Sequence, residues 1–373
     1  MAVKNTDRML DLSRDLSTTG APQSGGSGGR RNLIINGAMQ VAQRGTSETG
    51  VTTYGYYTVD RFQVFVLGSQ GTWTVTQENV TDLPGFSNSF KILCTTADAS
   101  PASNGAVYLR NSLEGQNLQH LKKGTSDAES VTLSFWVKSN KTGTYVAEIL
   151  DRSSSPERHI NKVFTVDVSG TWEYKTITFA GDTTGTLAND NTAGFSINFY
   201  LGSGSNFNTG TLQTSWGDLS NPDRMAGIVN LADTINNYFE ITGVQLEVGD
   251  TATSFEHRSY AEELALCQRY YYKHAENVSD YVAHGWAYSA TSVYLYVDFP
   301  VTMRATPSAE YSNSTGAYTF YTNGSAKSID TFTAISGTEN SMTLINPSVS
   351  GLTAGAAGGW YATSGLLAFD SEL

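Results

Sequence analysis

Between Asn32 and Glu256 apolar residues recur at every second position in short runs, and each run is bounded by Gly, Asn, Asp or Ser. A period of two sends alternate side chains to opposite faces of an extended chain, whereas a helix requires a period near 3.6. Val131, Leu133, Phe135 and Val137 share one face of a strand over 131–138. Phe195, Ile197, Phe199 and Leu201 do the same over 195–201. Thr171–Phe179, entered from Val168-Ser169-Gly170, and Tyr238–Val248 supply further strands. Runs of this length at this spacing predict an all-β sandwich in which one face of each strand buries a core and the other meets water.

Composition supports strands over helices. Only 16% of residues are charged while 11% are aromatic, and the chain carries 36 Gly, a residue that loses too much backbone entropy to fill helices. At 373 residues the chain is long enough for two cores. A change of period marks the boundary. Tyr260, Leu264, Cys267 and Tyr271 fall on one helical stripe, with Ser259 as N-cap and Glu262 three residues on, which predicts a helix of about four turns over 259–273. Strand patterns resume at Val293–Phe299, at Ala317–Tyr321 before an Asn323-Gly324 turn, and at Ser341–Ile345, so 274–373 reads as a smaller β-sandwich. The Gly- and Ala-rich stretch 351–359 is expected to be a loop or a place where backbones approach closely.

At the other end, Met9, Leu12 and Leu16 lie on one face of a short N-terminal helix that could dock on a partner, followed by a Gly/Ser linker up to residue 31. Met1 to Leu10 lack the apolar core of a signal peptide and no later stretch reaches membrane-spanning length, so synthesis in a cytoplasm without membrane insertion is expected. A net charge of −12 disfavours nucleic acid, because the overall field repels phosphate. Cys94 and Cys267 are expected to be free, buried thiols rather than a disulfide framework.

Asn32-Leu33-Ile34-Ile35-Asn36-Gly37-Ala38-Met39, Phe135-Trp136-Val137-Lys138, Gly170-Thr171-Trp172-Glu173-Tyr174 and Phe239–Glu247 together resemble, in order and spacing, the strand skeleton of jelly-roll carbohydrate-binding modules. The resemblance places that module at 32–258. A second run, Gln245–Gly249 through Phe255–Tyr260 to Glu262–Tyr271, is similar to a segment of phage tail-fibre and related virion proteins, and Phe299–Pro307 looks like the start of their terminal domain. That likeness implies a homotrimer with Tyr260, Leu264, Cys267 and Tyr271 at the shared axis. It also implies a virion location, with Met9, Leu12 and Leu16 anchoring the chain to other virion proteins. Jelly-roll modules further imply a structural calcium near the first and closing strands. Here Gly243 stands where an acidic ligand would be expected, and calcium takes about six to eight hard oxygens.

No catalytic constellation emerges. The acidic residues are scattered singly, His120, His159, His257, His274 and His284 have no metal-ligand spacing, and no nucleophile elbow or phosphate loop occurs. No enzyme activity and no cofactor are expected. Recognition by aromatic rings remains, since sugars stack C–H faces on Tyr and Trp while Asn, Asp and Thr satisfy their hydroxyls. Tyr54, Tyr56 and Tyr57, with Trp216 and Asp218, have that composition and are the predicted glycan-binding residues. The expected function is multivalent, non-catalytic attachment of a phage fibre to host-surface glycans. The competing expectations are a purely structural head-decoration or neck-fibre protein, a non-viral glycan-binding module, and a depolymerase.

Overall fold

The computed structural model describes residues 31–373 apart from 278, 313, 315 and 331, so the anchoring face of Met9, Leu12 and Leu16 lies outside the described residues. The first body contains β1 (Ser47–Val51), β2 (Phe62–Leu67), β3 (Thr72–Asn79), β4 (Asn88–Thr96), β5 (Ala106–Glu114) and β6 (Val131–Ser139). It continues with β7 (Gly143–Asp151), β8 (Arg158–Val166), β9 (Glu173–Phe179), β10 (Ala193–Ser203), β11 (Gly217–Asp218) and β12 (Tyr238–Val248). These strands form two six-stranded antiparallel sheets, ordered β1-β3-β4-β12-β6-β9 and β11-β8-β7-β10-β5-β2. The chain is all-β, and this body is a jelly-roll sandwich.

Alternation set the core as expected. Val131, Leu133, Phe135 and Val137 of β6 face Phe195, Ile197, Phe199 and Leu201 of β10 within one buried cluster. Phe135 lies edge-on to Phe164 and to Phe199, both at 5.1 Å. Each such ring contributes about 1.5–3 kcal/mol by leaving water, and edge-to-face pairing adds about 0.5–1.5 kcal/mol. Cys94 and Cys267 are free and buried.

The expectation that each strand keeps one wet face fails in the second sheet. Every residue of β10 from Gly194 to Ser203 is buried. The segment 204–230 folds back over the outer face, and Met225, with Phe207, Leu212 and Ile228, covers Tyr108, Val146 and Tyr200. At the centre of that covered face Glu148 accepts two hydrogen bonds from the Arg224 guanidinium, 2.9 and 2.8 Å, and one from Asn198 at 2.6 Å. The Tyr200 hydroxyl donates to the same carboxylate and His159 lies 3.1 Å from it.

The helix is shorter than its sequence stripe. α1 spans Tyr260–Gln268, and Ser259 caps it by accepting from the Glu262 amide at 3.3 Å. The chain then turns into β13 (Tyr271–Ala275), because a run of three tyrosines suits a strand and an edge partner is at hand. That partner is β22 (Leu367–Asp370), from the end of the chain. The four-residue stripe is therefore corrected. Cys267 and Tyr271 are enclosed by the chain itself, while Tyr260 is exposed, so the four present no continuous surface.

The second body adds β14 (Tyr281–Ala287), β15 (Val293–Asp298), β16 (Ser308–Tyr311), β17 (Tyr318–Thr322), β18 (Ser325–Ile329), β19 (Thr333–Gly337), β20 (Ser341–Asn346) and β21 (Ala357–Ala362). A three-stranded sheet, β13-β22-β16, packs on a seven-stranded one ordered β18-β17-β21-β14-β15-β20-β19. Asn323 and Gly324, at φ 48° and 72°, make the hairpin turn that the Asn-Gly pair predicts. The stretch 351–359 divides between the two expectations, loop up to Ala356 and strand from Ala357.

Charge fastens the two bodies. Arg269 holds Glu114 through two bonds of 2.7 Å. Arg61, almost wholly buried, pairs with Glu372 and lies 3.4 Å over the Tyr270 ring. Arg44 bonds Asp370 at 2.7 Å and lies 3.6 Å over Tyr271. Burial pushes the neighbouring Asp60 carboxyl up to about 6 in spite of the nearby Arg44 charge.

Candidate carbohydrate-binding face

The five residues predicted to read glycans lie on opposite edges of one sheet. Tyr54 is exposed and stacks 5.8 Å from Phe65 of β2, one edge strand. Tyr56 and Tyr57 are only partly exposed: the Tyr56 hydroxyl donates to the Leu373 carbonyl, and that of Tyr57 to the Thr53 carbonyl. Trp216 precedes β11, the other edge, and Asp218 lies in it. The Trp216 indole donates to the Ala180 carbonyl at 2.6 Å, and Asp218 pairs with Arg158 at 3.0 Å. Between the two edges, segment 204–230 occupies the face. Tyr54 alone of the five offers a largely open ring.

The exposed rings of this chain concentrate elsewhere, on the outer face of the seven-stranded sheet. Tyr281, Trp286, Tyr288, Tyr296 and Tyr321 are between 42% and 65% exposed. Strand parity explains the arrangement. In β15 Val293, Leu295 and Val297 point into the core, which leaves Tyr294 and Tyr296 outside. In β14 the register shifts between Tyr281 and Ala283, and this bulge turns both Tyr281 and His284 outward. Their side chains meet, with the Tyr281 hydroxyl 2.5 Å from His284 Nδ1.

Two ring clusters result. Tyr361 contacts both Tyr281 and Tyr321 edge-on, at 5.3 and 5.6 Å. Trp286 stacks on Tyr294 at 5.4 Å with an interplanar angle of 18°, and Tyr288 leans on Tyr294 at 4.9 Å. β21 carries Tyr361 near its end, and its other outward positions are Ala357 and Gly359, opposite Trp286 and His284 respectively. These small residues between the two groups of rings make a trough, with strands about 4.8 Å apart.

The trough opens into a cleft. The ladder between β14 and β15 ends at Gly285↔Leu295, and beyond it the strands part. The space between them, about 600 Å³, is walled by Tyr281, His284, Trp286 and Tyr296, with His274 and Asp298 at its far end. Burial lowers the His274 pKa, so its imidazole is neutral at neutral pH. A further hollow of about 370 Å³ lies across Tyr321 and Tyr361, beside Thr319 and Thr363. The face thus combines ring surfaces, hydroxyls and one carboxylate, a set that can hold a polyhydroxylated ligand by stacking and hydrogen bonding. No group of three or more His, Cys, Asp or Glu side chains among the described residues could hold a metal ion.

None of these rings was among the predicted binders, though a signal existed. Tyr294 and Tyr296, Trp286 and Tyr288, and Tyr321 stand at the parity opposite the apolar residues, where a water-facing strand normally carries Thr, Ser or Lys.

No protein-family model and no curated protein matches the chain. Among solved structures it is similar to the enzymatically active domain of a bacteriophage CBA120 tailspike protein, at 14% identity over 58% of this chain and 21% of that one, with a TM-score of 0.30. A family 11 carbohydrate-binding module from Clostridium thermocellum, solved with a mixed-linked tetrasaccharide, matches at 14% identity over 56% and 98%, TM-score 0.28. A family 22 module of Clostridium thermocellum Xyn10B matches at 12% over 56% and 98%, TM-score 0.29. The fold assignment rests on the sheets themselves.

Proposed function

We propose that the chain is a non-catalytic carbohydrate-binding protein that holds neutral glycans on the outer face of its seven-stranded sheet, as part of a phage appendage that attaches to host-surface sugars. The observation that carries this reading is the gathering of exposed rings around a trough and cleft. Soluble proteins seldom leave such apolar area open without a use. Neutrality of the ligand follows from charge. The cleft contains a carboxylate and no cation, and the chain as a whole is acidic, so an acidic glycan would be repelled. The phage setting and the homotrimer rest on the likeness of 245–271 and 299–307 to virion fibre segments, and three copies would combine weak contacts into firm attachment.

A glycan array with the full chain tests the proposal beside the double variant W286A/Y321A. Binding to neutral oligosaccharides is expected, with at least about a tenfold loss in the variant, which corresponds to about 1.4 kcal/mol. Native mass spectrometry of the same sample is expected to give trimers. A silent array contradicts the carbohydrate reading, binding unchanged in the variant contradicts its placement on the seven-stranded sheet, and a monomer mass contradicts the fibre.

A further inference from the structure

We propose that the sandwich carries a second, independent sugar-binding groove, on the outer face of its first sheet, which takes a single ring of a neutral glycan. It does not rest on the reading of the C-terminal face. The groove measures about 440 Å³ and is floored by Ser134 of β6 and Gly243 of β12. Trp136 and Tyr174, 5.2 Å apart, form one wall. Phe255 forms the other, backed by Phe86 at 5.2 Å and His257 at 4.9 Å.

Two features make this more than a surface dent. Gly243 lies at φ +62° within a bulge of β12, and a Cβ there would come within 2.7 Å of the Phe86 ring and 3.1 Å of Trp136. Only glycine leaves the floor between the walls open. Ser134 lines the groove from its floor, and among the described residues no group hydrogen-bonds its hydroxyl, which is open to the groove. A sugar hydroxyl entering there can bond it.

The second wall is rigid before any ligand arrives. Glu247 accepts from the Thr253 amide at 2.8 Å and from its hydroxyl at 2.7 Å, and Gln245 accepts from the Glu256 amide at 2.8 Å. A wall already ordered spares the entropy of closing on the ligand. Lys138, 5.4 Å from the Trp172 ring, is paired with Asp82 at 2.7 Å, and the Arg31 guanidinium donates to the Thr253 hydroxyl at 2.9 Å and the Ser254 carbonyl at 3.3 Å. With ring faces on two sides, a hydroxyl at the base and no charged residue in its lining, the groove fits a neutral pyranose held edge-in between its walls.

The test is ¹⁹F NMR of the full chain labelled with 5-fluorotryptophan, titrated with methyl glycosides of glucose, galactose, mannose and N-acetylglucosamine. The chain has 6 tryptophans, so Trp136 and Trp286 report the two faces separately once assigned by Trp→Phe substitution. The Trp136 resonance should shift saturably at millimolar concentrations of at least one glycoside. S134A should weaken that response about fivefold, the worth of one hydrogen bond. S254W, which places an indole from an exposed position into the groove, should abolish it. A Trp136 resonance that stays still with every probe, or a shift that survives S254W, overturns the proposal. A response at Trp286 alone overturns this groove and leaves the C-terminal site standing, and a response at Trp136 alone does the reverse.

Discussion

Glu148 is held ionised in the interior. Burial by itself would raise its pKa, but the Arg224 charge and the hydrogen bonds from His159, Arg224 and Tyr200 outweigh it and hold the carboxyl well below the usual range. A group whose folded pKa is depressed adds stability above its unfolded pKa of about 4.3 and loses it as pH falls toward the folded value. Denaturant midpoints measured from neutral to acid pH should therefore fall on acidification. Glu148→Gln, which leaves Arg224 unpaired in the interior, should cost about 3–5 kcal/mol at neutral pH and flatten the acid limb. Parallel profiles for both proteins would count against this account. The importance of Glu148 could not be read from its neighbours in the chain, because Arg224 lies 76 residues away and reaches it only after segment 204–230 folds back. Phe195, Ile197, Phe199 and Leu201 were readable for the opposite reason: their burial depends on strand parity, a local property.

At the scale of elements, β21 joins core and aromatic face through two adjacent glycines. A Cβ on Gly358 would meet the Tyr321 carbonyl oxygen at 2.2 Å, whereas on Gly359 it would touch the Tyr281 and Tyr361 rings at 3.3 and 3.4 Å. G358A should therefore strain the β17–β21 pairing and lower stability by about 1–3 kcal/mol, as overpacking does. G359V should keep its unfolding midpoint near that of the natural chain and lose glycan binding by filling the trough. Chemical denaturation and the array together check the pair, and a G359V protein that binds normally would remove the trough from the account. The sequence foretold β6, β10, β12 and the Asn323-Gly324 hairpin because periodicity and turn chemistry are local. It overextended α1, since a helical stripe from Tyr260 to Tyr271 says nothing of β22, a strand almost a hundred residues later, that draws Tyr271 into a sheet. It read β15 for the face that makes the core and passed over Tyr294 and Tyr296 on the other.

For the whole molecule, the paired charges at Arg269–Glu114, Arg61–Glu372 and Arg44–Asp370 mean that the aromatic face is borne on a firm base and not on a tether. A fixed platform loses less entropy on binding, and repeated copies of it would multiply weak attachment. The sandwich, which most resembles a sugar-binding module in sequence, has one of its faces filled by its own chain, and the proposed main glycan contact is on the second body. A crystal structure of the full chain grown with the neutral oligosaccharide that binds best on the array tests that claim most directly. The expected result is a pyranose ring stacked on Trp286 or Tyr321, with the glycan running along the trough over Gly359. Sugar density confined to the sandwich, with the C-terminal rings bare at saturating ligand, would contradict it.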